Sequence, residues 1–410
     1  MFFVDDNYYT LDDIEKQFAV FEGIPYIKEC ENRRIAVCMS DAFQWLALCF
    51  YVQRKGGSVV PIHSSTPREG AIRLATLTHS HILLFQSLHM PLHISTTENK
   101  REGFLIQMSS GTTGTPKVIE RSWESIEEEL TSYVEALPID AETTSIVACP
   151  VTHSYGLISG FLACLKRGAE PIIITNMNPK YILKKLEQYP NHIVYAAPVL
   201  LHTLACFLPS SQMFHSVMTS GTVMPTNWLE LLNKKSSRVL QQYGCSEAGC
   251  VAIHPGVQDA KEMGYSLSHV KVEAGSIDMP AEIVIHTAMN TISTKDLGYI
   301  ENGVVSFLSR MDDMINVAGL NVYPAEVENT LMTEPRIVEA VVYKKENPLS
   351  GERVCVQYVA TGHIDEGEIR EWCRERLAPH QIPVEIIRVD EIEKLPNGKI
   401  SRKKLGGFIS

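Results

Sequence analysis

The sequence predicts an α/β protein: a large N-terminal domain of layered sheets followed by a small C-terminal α+β domain. Three observations point there. A strand-helix-strand rhythm recurs through most of the chain, the texture changes near Arg310, and a Gly- and Thr-rich loop directly follows the apolar run "FLIQM".

In chain order, "RIAVCMS", "DAFQWLALCFYVQRKGG" and "SVVPI" read as strand, amphipathic helix and strand within residues 33–61. Such alternation implies a parallel sheet covered by helices. After the loop, "KVIER" is β-like, and Ser125 and Glu128 are candidate caps of the next helix. The rhythm returns in "TSIVACP", helical "SYGLISGFLACLKRG" and "AEPIIIT", and again in helical "PKYILKKLEQYPN" followed by "HIVYAAP". Beyond "FLSRMDDMINVAG" the pattern becomes helix "YPAEVENTLMTE", strands "VEAVVYKKE" and "RVCVQYVAT", helix "DEGEIREWCRERLA" and a polar tail. A boundary between Arg310 and Asp312 gives domains 1–309 and 310–410, and the short charged junction suits a hinge.

Composition narrows the partners. The chain has 410 residues, 45% hydrophobic and 21% charged, with a net charge of -11, which disfavours nucleic acid and anionic membranes. Small molecules or proteins are the expected partners. The N-terminus lacks a basic start before a long apolar core, and no apolar run approaches membrane-spanning length, so a cytoplasmic protein is expected. The 10 cysteines form no CxxC pair and read as reduced, mostly buried thiols, with disulfides and zinc not expected. His79, His81, His89 and His93 cluster, but Pro91 argues against a metal-binding helix and favours surface or loop positions.

The loop in "MSSGTTGTPKVIERS", residues 108–122, combines glycines, hydroxyls and Lys117, a combination suited to polyphosphate, with a flexible turn as the plainer alternative. It reads G-x-x-G-x-x-K rather than the P-loop pattern, and a strand rather than a helix should follow. A strand-loop-strand grip is therefore expected, unlike that of kinases and GTPases.

"SSGTTGTPK" resembles the phosphate loop of the adenylate-forming superfamily, which includes acyl-CoA ligases, peptide-synthetase adenylation domains and luciferases. Other stretches follow in family order. "CPVTHSYGL" (149–157) resembles the substrate-side histidine motif, "TSGTVMP" (219–225) the adenine-side loop, and "QQYGCSEAG" (241–249) the Tyr-Gly-x-Thr-Glu signature, with Ser246 replacing threonine. "TKDLGYIENGVVSFLSRMDDMINVAGLNVYPAEVE" (294–328) is similar to the ribose and hinge motif, and "LPNGKISRKKL" (395–405) to the terminal lysine motif. The phosphate loop begins earlier than is usual for the family, implying a trimmed N-terminal subdomain.

The resemblance implies an adenylate-forming fold and an AMP-forming acid-thiol ligase using ATP and Mg²⁺. Ser109, Ser110, Gly111, Thr112, Thr113, Gly114 and Lys117 would grip phosphates, and Glu247 would hold Mg²⁺. Tyr243, beside Gly221 and Thr222, would receive adenine, Gly244 and Ser246 would also belong to the nucleotide site, and Asp296 and Arg310 would meet the ribose. Lys399 would bridge carboxylate and α-phosphate, and Asp312 would be the pivot. Read alone, Glu247, Asp296, Arg310 and Lys399 are equally compatible with solvated surface charges.

His153 would stand at the substrate carboxylate, with Ser154, Tyr155, Ser159 and Cys250 lining the acid pocket; plain packing is the alternative for the small residues. Amino-acid-activating relatives carry Asp at the position of Ser154, and enzymes for 2-hydroxylated benzoates carry Asn. Serine leaves an ammonium unpaired and is too short to mimic Asn, so an aromatic acid without an ortho hydroxyl fits better. The chain resembles the aryl-acid ligases of siderophore assembly that load 3,4-dihydroxybenzoate onto the phosphopantetheine of an aryl carrier protein. Free CoA is the alternative acceptor. A non-catalytic nucleotide-binding regulator and a hydrolase, suggested by the near G-x-S-x-G of Gly244, Ser246 and Ala248, are alternatives of other classes.

Overall fold

The computed structural model describes residues 1–94, 103–109, 117–347, 351–394 and 400–407. The chain divides into two compact units: Met1–Ser220 with Lys235–Pro255 and Leu267–His269, and Gly221–Lys234 with Gly256–Ser266 and Val270–Ser410.

The first unit holds two sheets built from the short apolar runs seen in the sequence. One has six strands in the order Leu92–His93, Ile82–Phe85, Arg34–Cys38, Ser58–Pro61, Phe104–Ser109 and Lys117–Ser122. The central pairs are parallel. The last pair is antiparallel with Ser109 opposite Lys117, so the expected strand-loop-strand frame is present, while loop residues 110–116 lie outside the described residues.

The other sheet aligns Gly249–His254, Ser236–Cys245, Phe214–Thr219, His192–Tyr195, Thr144–Val147, Ile172–Ile173, Phe2–Val4 and Asn7–Tyr9. From Ser236–Cys245 to Phe2–Val4 every pair is parallel. Its middle strands are almost wholly buried, as helix-covered parallel strands require. Towards the carboxyl ends of the parallel pairing, Val147, Tyr195, Met218 and Leu240 align across four strands, at the edge where open α/β sheets bind ligands.

Three local expectations are corrected. The helix after "KVIER" is Trp123–Ala136, and its cap is Ser122, whose extended backbone lets Oγ accept from Ser125 N–H; Ser125 and Glu128 lie inside the helix. The segment Tyr155–Leu162 is a π-helix that continues into the α-helix Ala163–Lys166, and Ala163 N–H donates five residues back to Ile158 O. At Gly156 a Cβ would lie 2.4 Å from Pro150 O, so only glycine lets this helix start so close to the preceding turn. His81 is buried rather than superficial, because its Nδ1 accepts from Arg34 N–H at 3.0 Å.

The second unit contains antiparallel strands in the order Lys271–Glu273, Ala281–His286, Thr291–Glu301, Val304–Arg310 and Glu262–Ser266. Its second sheet orders Leu320–Val322, Ile315–Val317, Gly351–Ala360 and Ile337–Asn347, with Glu385–Arg388 parallel to Gly351–Ala360. Helices Pro324–Leu331 and Glu366–Arg374 contribute Val327, Leu331, Ile369 and Cys373 to the core beneath that sheet. Among the described residues no helix is long and apolar enough to cross a membrane.

Candidate active site

Within the first unit, the strand after the Gly- and Thr-rich loop begins at Lys117, and Glu247 sits in the tight turn between the antiparallel strands Ser236–Cys245 and Gly249–His254. Lys117 Nζ and Glu247 Oε1 are 2.8 Å apart, with 63% and 27% of their side chains exposed. Tyr243 is buried in this hairpin, Gly244 is exposed beside the register shift between the two residues, and Ser246 is half-buried. Because "GCSEAG" turns one strand back on another, it is not the strand-to-helix elbow that a hydrolase nucleophile needs, and Ser246 loses that reading.

The substrate-side motif enters through the turn before the π-helix. His153 is exposed and its carbonyl accepts from Leu157 N–H at 2.9 Å. The Ser154 hydroxyl donates to Gln107 Oε1, a contact that ties it to the buried strand leading into the Gly- and Thr-rich loop. Tyr155 Oη donates to Met218 O at 2.5 Å and lies 3.3 Å from Ala196 O, so it binds the carboxyl ends of two parallel strands together.

One helical turn further, buried Ser159 Oγ accepts from Gln242 Nε2 at 3.1 Å. Tyr133 Oη donates to Gln242 Oε1 at 2.8 Å and lies 3.3 Å from Tyr195 Oη. Cys250 is buried nearby, its thiol 3.6 Å from Ala252 O. Burial pushes the Tyr155 phenol and Cys250 thiol well up, so both stay neutral. The groups brought together here are hydroxyls, the amides of Gln107 and Gln242 and a thiol, and the hydrogen-bond partners of the Ser154 and Ser159 hydroxyls are uncharged.

In the second unit, Asp296 and Arg310 face each other across adjacent strands. Arg310 Nη1 donates to Asp296 Oδ1 at 2.7 Å and to Thr294 O at 2.8 Å, while Asp296 N–H donates to Thr294 Oγ1 at 3.0 Å. Asp296 is buried; Gly221 (φ +93°) and Thr222 are exposed. Asp312 pairs with Lys403 at 3.2 Å, and Arg402 reaches Glu328 at 2.8 Å and Asp313 at 3.6 Å, so the short helix Arg402–Leu405 is fastened to the junction. Lys399 lies outside the described residues, as do Ser110, Gly111, Thr112, Thr113 and Gly114.

Sequence reasoning passed over Gln107, Gln242, Tyr133 and Tyr195. Gln107 left a signal, a lone amide inside "FLIQM", whose neighbours Leu105 and Ile106 are fully buried. The others belong to separate elements and left none.

The chain matches the AMP-binding enzyme family over residues 86–281 and the AMP-binding enzyme C-terminal domain over residues 326–399. It is 39% identical over 407 residues to a 3,4-dihydroxybenzoate–aryl-carrier protein ligase of Bacillus anthracis, covering 99% of this chain and 98% of that one. It is 26% identical over 332 residues to a 2-succinylbenzoate–CoA ligase of Bacillus licheniformis, covering 73% and 69%. Its fold superposes with a TM-score of 0.85 on the Bacillus subtilis o-succinylbenzoate CoA synthetase solved with its acyl-adenylate intermediate, at 19% identity and over 98% and 94% of the two chains. The expected α/β fold is therefore that of the adenylate-forming enzymes, and the chain belongs to the AMP-binding enzyme family of the adenylate-forming superfamily.

Proposed function

We propose that the protein is an AMP-forming ligase that activates 3,4-dihydroxybenzoate with ATP and passes the aryl group to the phosphopantetheine thiol of an aryl carrier protein in siderophore assembly. The observation that carries this reading is the 39% identity, along 99% of the chain, to a relative bearing that activity's name. The uncharged hydrogen-bond partners of Ser154 and Ser159 support an aromatic acid over an amino acid. A cytosolic location belongs to the same proposal.

In the first half-reaction a carboxylate oxygen attacks the α-phosphorus of ATP. The bond from that phosphorus to the bridging oxygen breaks, and pyrophosphate leaves with the electron pair. Anion approaches anion, so donors and cations around the phosphates lower the barrier. Lys117 and the Ser109–Gly114 loop would hold the β- and γ-phosphates, and Lys399 would lie between the carboxylate and the α-phosphate. Tyr243, beside Gly221 and Thr222, would receive adenine, with Gly244 and Ser246 in the same nucleotide site, Asp296 accepting from both ribose hydroxyls and Arg310 adding a donor to that sugar.

Among the described residues no three His, Cys, Asp or Glu side chains converge, whereas Glu247 alone presents a carboxylate beside Lys117. That donor set fits Mg²⁺, which keeps few protein ligands and takes the rest from phosphate oxygens and water. Bound there, Mg²⁺ would neutralise developing phosphate charge.

In the second half-reaction the thiol sulfur attacks the acyl carbon, AMP departs with the C–O electron pair, and the thiol proton passes to solvent. The division into an adenylation domain, 1–309, and a mobile domain, 310–410, pivoting at Asp312, is part of this proposal. So is the choice of carrier protein over free CoA.

ATP–pyrophosphate exchange across hydroxybenzoates, amino acids and fatty acids tests the reading. 3,4-Dihydroxybenzoate should support the fastest exchange, and a best response to an amino acid or long-chain fatty acid would reject it.

A further inference from the structure

A buried charge pair outside the residues assigned above joins the two elements that bear Lys117 and Glu247. Arg121 lies four residues after Lys117 on the same strand, hence on the same face, and Glu129 lies in the following helix. Their side chains are 5% and 1% exposed, with Arg121 Nη1 2.6 Å from Glu129 Oε2. Arg121 Nη2 also donates to Ser125 O at 3.3 Å, and Glu129 Oε1 accepts from Cys250 N–H at 2.7 Å. Both carboxylate oxygens are therefore engaged, one with the strand leaving the phosphate loop and one with the hairpin that bears Glu247.

The fit at the hairpin is close. Gly249 has φ +78°, and a Cβ there would lie 2.2 Å from Glu129 Oε2 and 2.4 Å from Arg121 Nη1. Gly249 is only two positions beyond Glu247. The turn is thus held where it rejoins the returning strand, at Gly249 and Cys250, through Glu129, and at Glu247 through its 2.8 Å contact with Lys117. Desolvation offsets much of what such a pair gains by attraction, and apolar residues of like volume often stabilise a fold as well, so stability alone is a poor reason for an ion pair here.

We propose that Arg121 and Glu129 are positioning residues that fix the Glu247 turn against the strand carrying Lys117, so that carboxylate and ammonium are set for one nucleotide. This rests on the reading of Glu247 and Lys117 given above. The pair touches no substrate itself.

The test uses the full-length protein carrying Arg121→Met with Glu129→Leu, which removes both charges while keeping apolar bulk. The variant should unfold at nearly the wild-type temperature, yet amide hydrogen exchange at residues 246–250 should quicken roughly tenfold as the Cys250 bond is lost. Exchange of pyrophosphate into ATP should demand on the order of tenfold more Mg²⁺.

Unchanged amide protection in the folded double variant would overturn the proposal. Loosened amides with an unaltered Mg²⁺ requirement would uphold the positioning and reject the role given to Glu247. Should the double variant fail to fold, Gly249→Ala displaces the hairpin while sparing both charges. Normal protection and a normal Mg²⁺ requirement in that variant would equally overturn the proposal.

Discussion

Lys117 Nζ meets Glu247 Oε1 at 2.8 Å, joining the first residue after the phosphate loop to the carboxylate of a hairpin turn far along the chain. In the proposed mechanism the ammonium would meet phosphates and the carboxylate a phosphate-bound Mg²⁺. Glu247→Gln keeps the shape and removes the charge, so turnover should fall about tenfold or more and shift to higher Mg²⁺. A Mg²⁺ titration of pyrophosphate exchange checks this; a curve superimposable on the wild type would remove Glu247 from the metal role.

Ser154, proposed to face the substrate, is a short side chain whose hydroxyl is already given to Gln107. Ser154→Asn extends an amide into that space, where it can reach an ortho hydroxyl. The rate ratio for 2,3- over 3,4-dihydroxybenzoate should rise about tenfold, equivalent to ~1.4 kcal/mol of discrimination. Parallel exchange assays with both acids measure it, and an unchanged ratio would take Ser154 out of specificity.

His192 predicts a pH dependence of stability. Its Nδ1–H donates to Tyr189 O at 2.6 Å, and its Nε2 accepts from His215 N–H at 3.1 Å. Burial, reinforced by His215 and opposed by the Tyr189 carbonyl, lowers its pKa from 6.5 to about 4. The unfolded chain therefore takes up a proton that the fold refuses. The neutral ring's contribution is complete above pH 6.5 and is lost as the pH falls towards 4, on the order of 3 kcal/mol across that window. Denaturant unfolding at a series of pH values should show the wild type losing stability faster than His192→Gln; parallel profiles would contradict the assignment.

The junction predicts a separation of half-reactions. Lys399→Ala should abolish adenylate formation while leaving thioester formation from supplied acyl-adenylate largely intact. Asp312→Pro, which fixes φ near -65° and removes the contact with Lys403, should spare pyrophosphate exchange and suppress thioester formation. Asp312→Asn isolates the loss of the ion pair. Equal loss of both halves in both folded variants would argue against one small domain serving two steps in turn.

The fold was readable because its signals are local. Runs such as "HIVYAAP" and "KVIER" announce buried and paired strands, and Ser122 lost its place as cap only because Ser125 and Glu128 offered a competing pattern. The helix at Tyr155 was legible as a helix, but neither its π winding nor the close approach of Gly156 to Pro150 is encoded in periodicity. The strand Phe2–Val4 and the edge strand Asn7–Tyr9 beside it were illegible for a different reason: Phe3 pairs with Ile172, far away in sequence.

The candidate site divides the same way. Glu247, Asp296 and Arg310 stand inside contiguous motifs, whereas Arg121 and Glu129 straddle a strand-to-helix boundary and acquire meaning only through Cys250, a partner from another part of the chain. Gln107 gains its role through Ser154, and Gln242 through Ser159 and Tyr133, contacts made only by folding.

The central claim is that this chain loads 3,4-dihydroxybenzoate onto a carrier protein through an acyl-adenylate. The most direct measurement is intact mass of a phosphopantetheinylated aryl carrier protein after incubation with the enzyme, ATP, Mg²⁺ and 3,4-dihydroxybenzoate, with AMP quantified in the same sample. The account predicts a carrier protein heavier by one dihydroxybenzoyl group, with at least one AMP released for each carrier loaded and no loading when ATP is omitted. An unmodified carrier protein alongside efficient aryl-CoA formation from free CoA would contradict it.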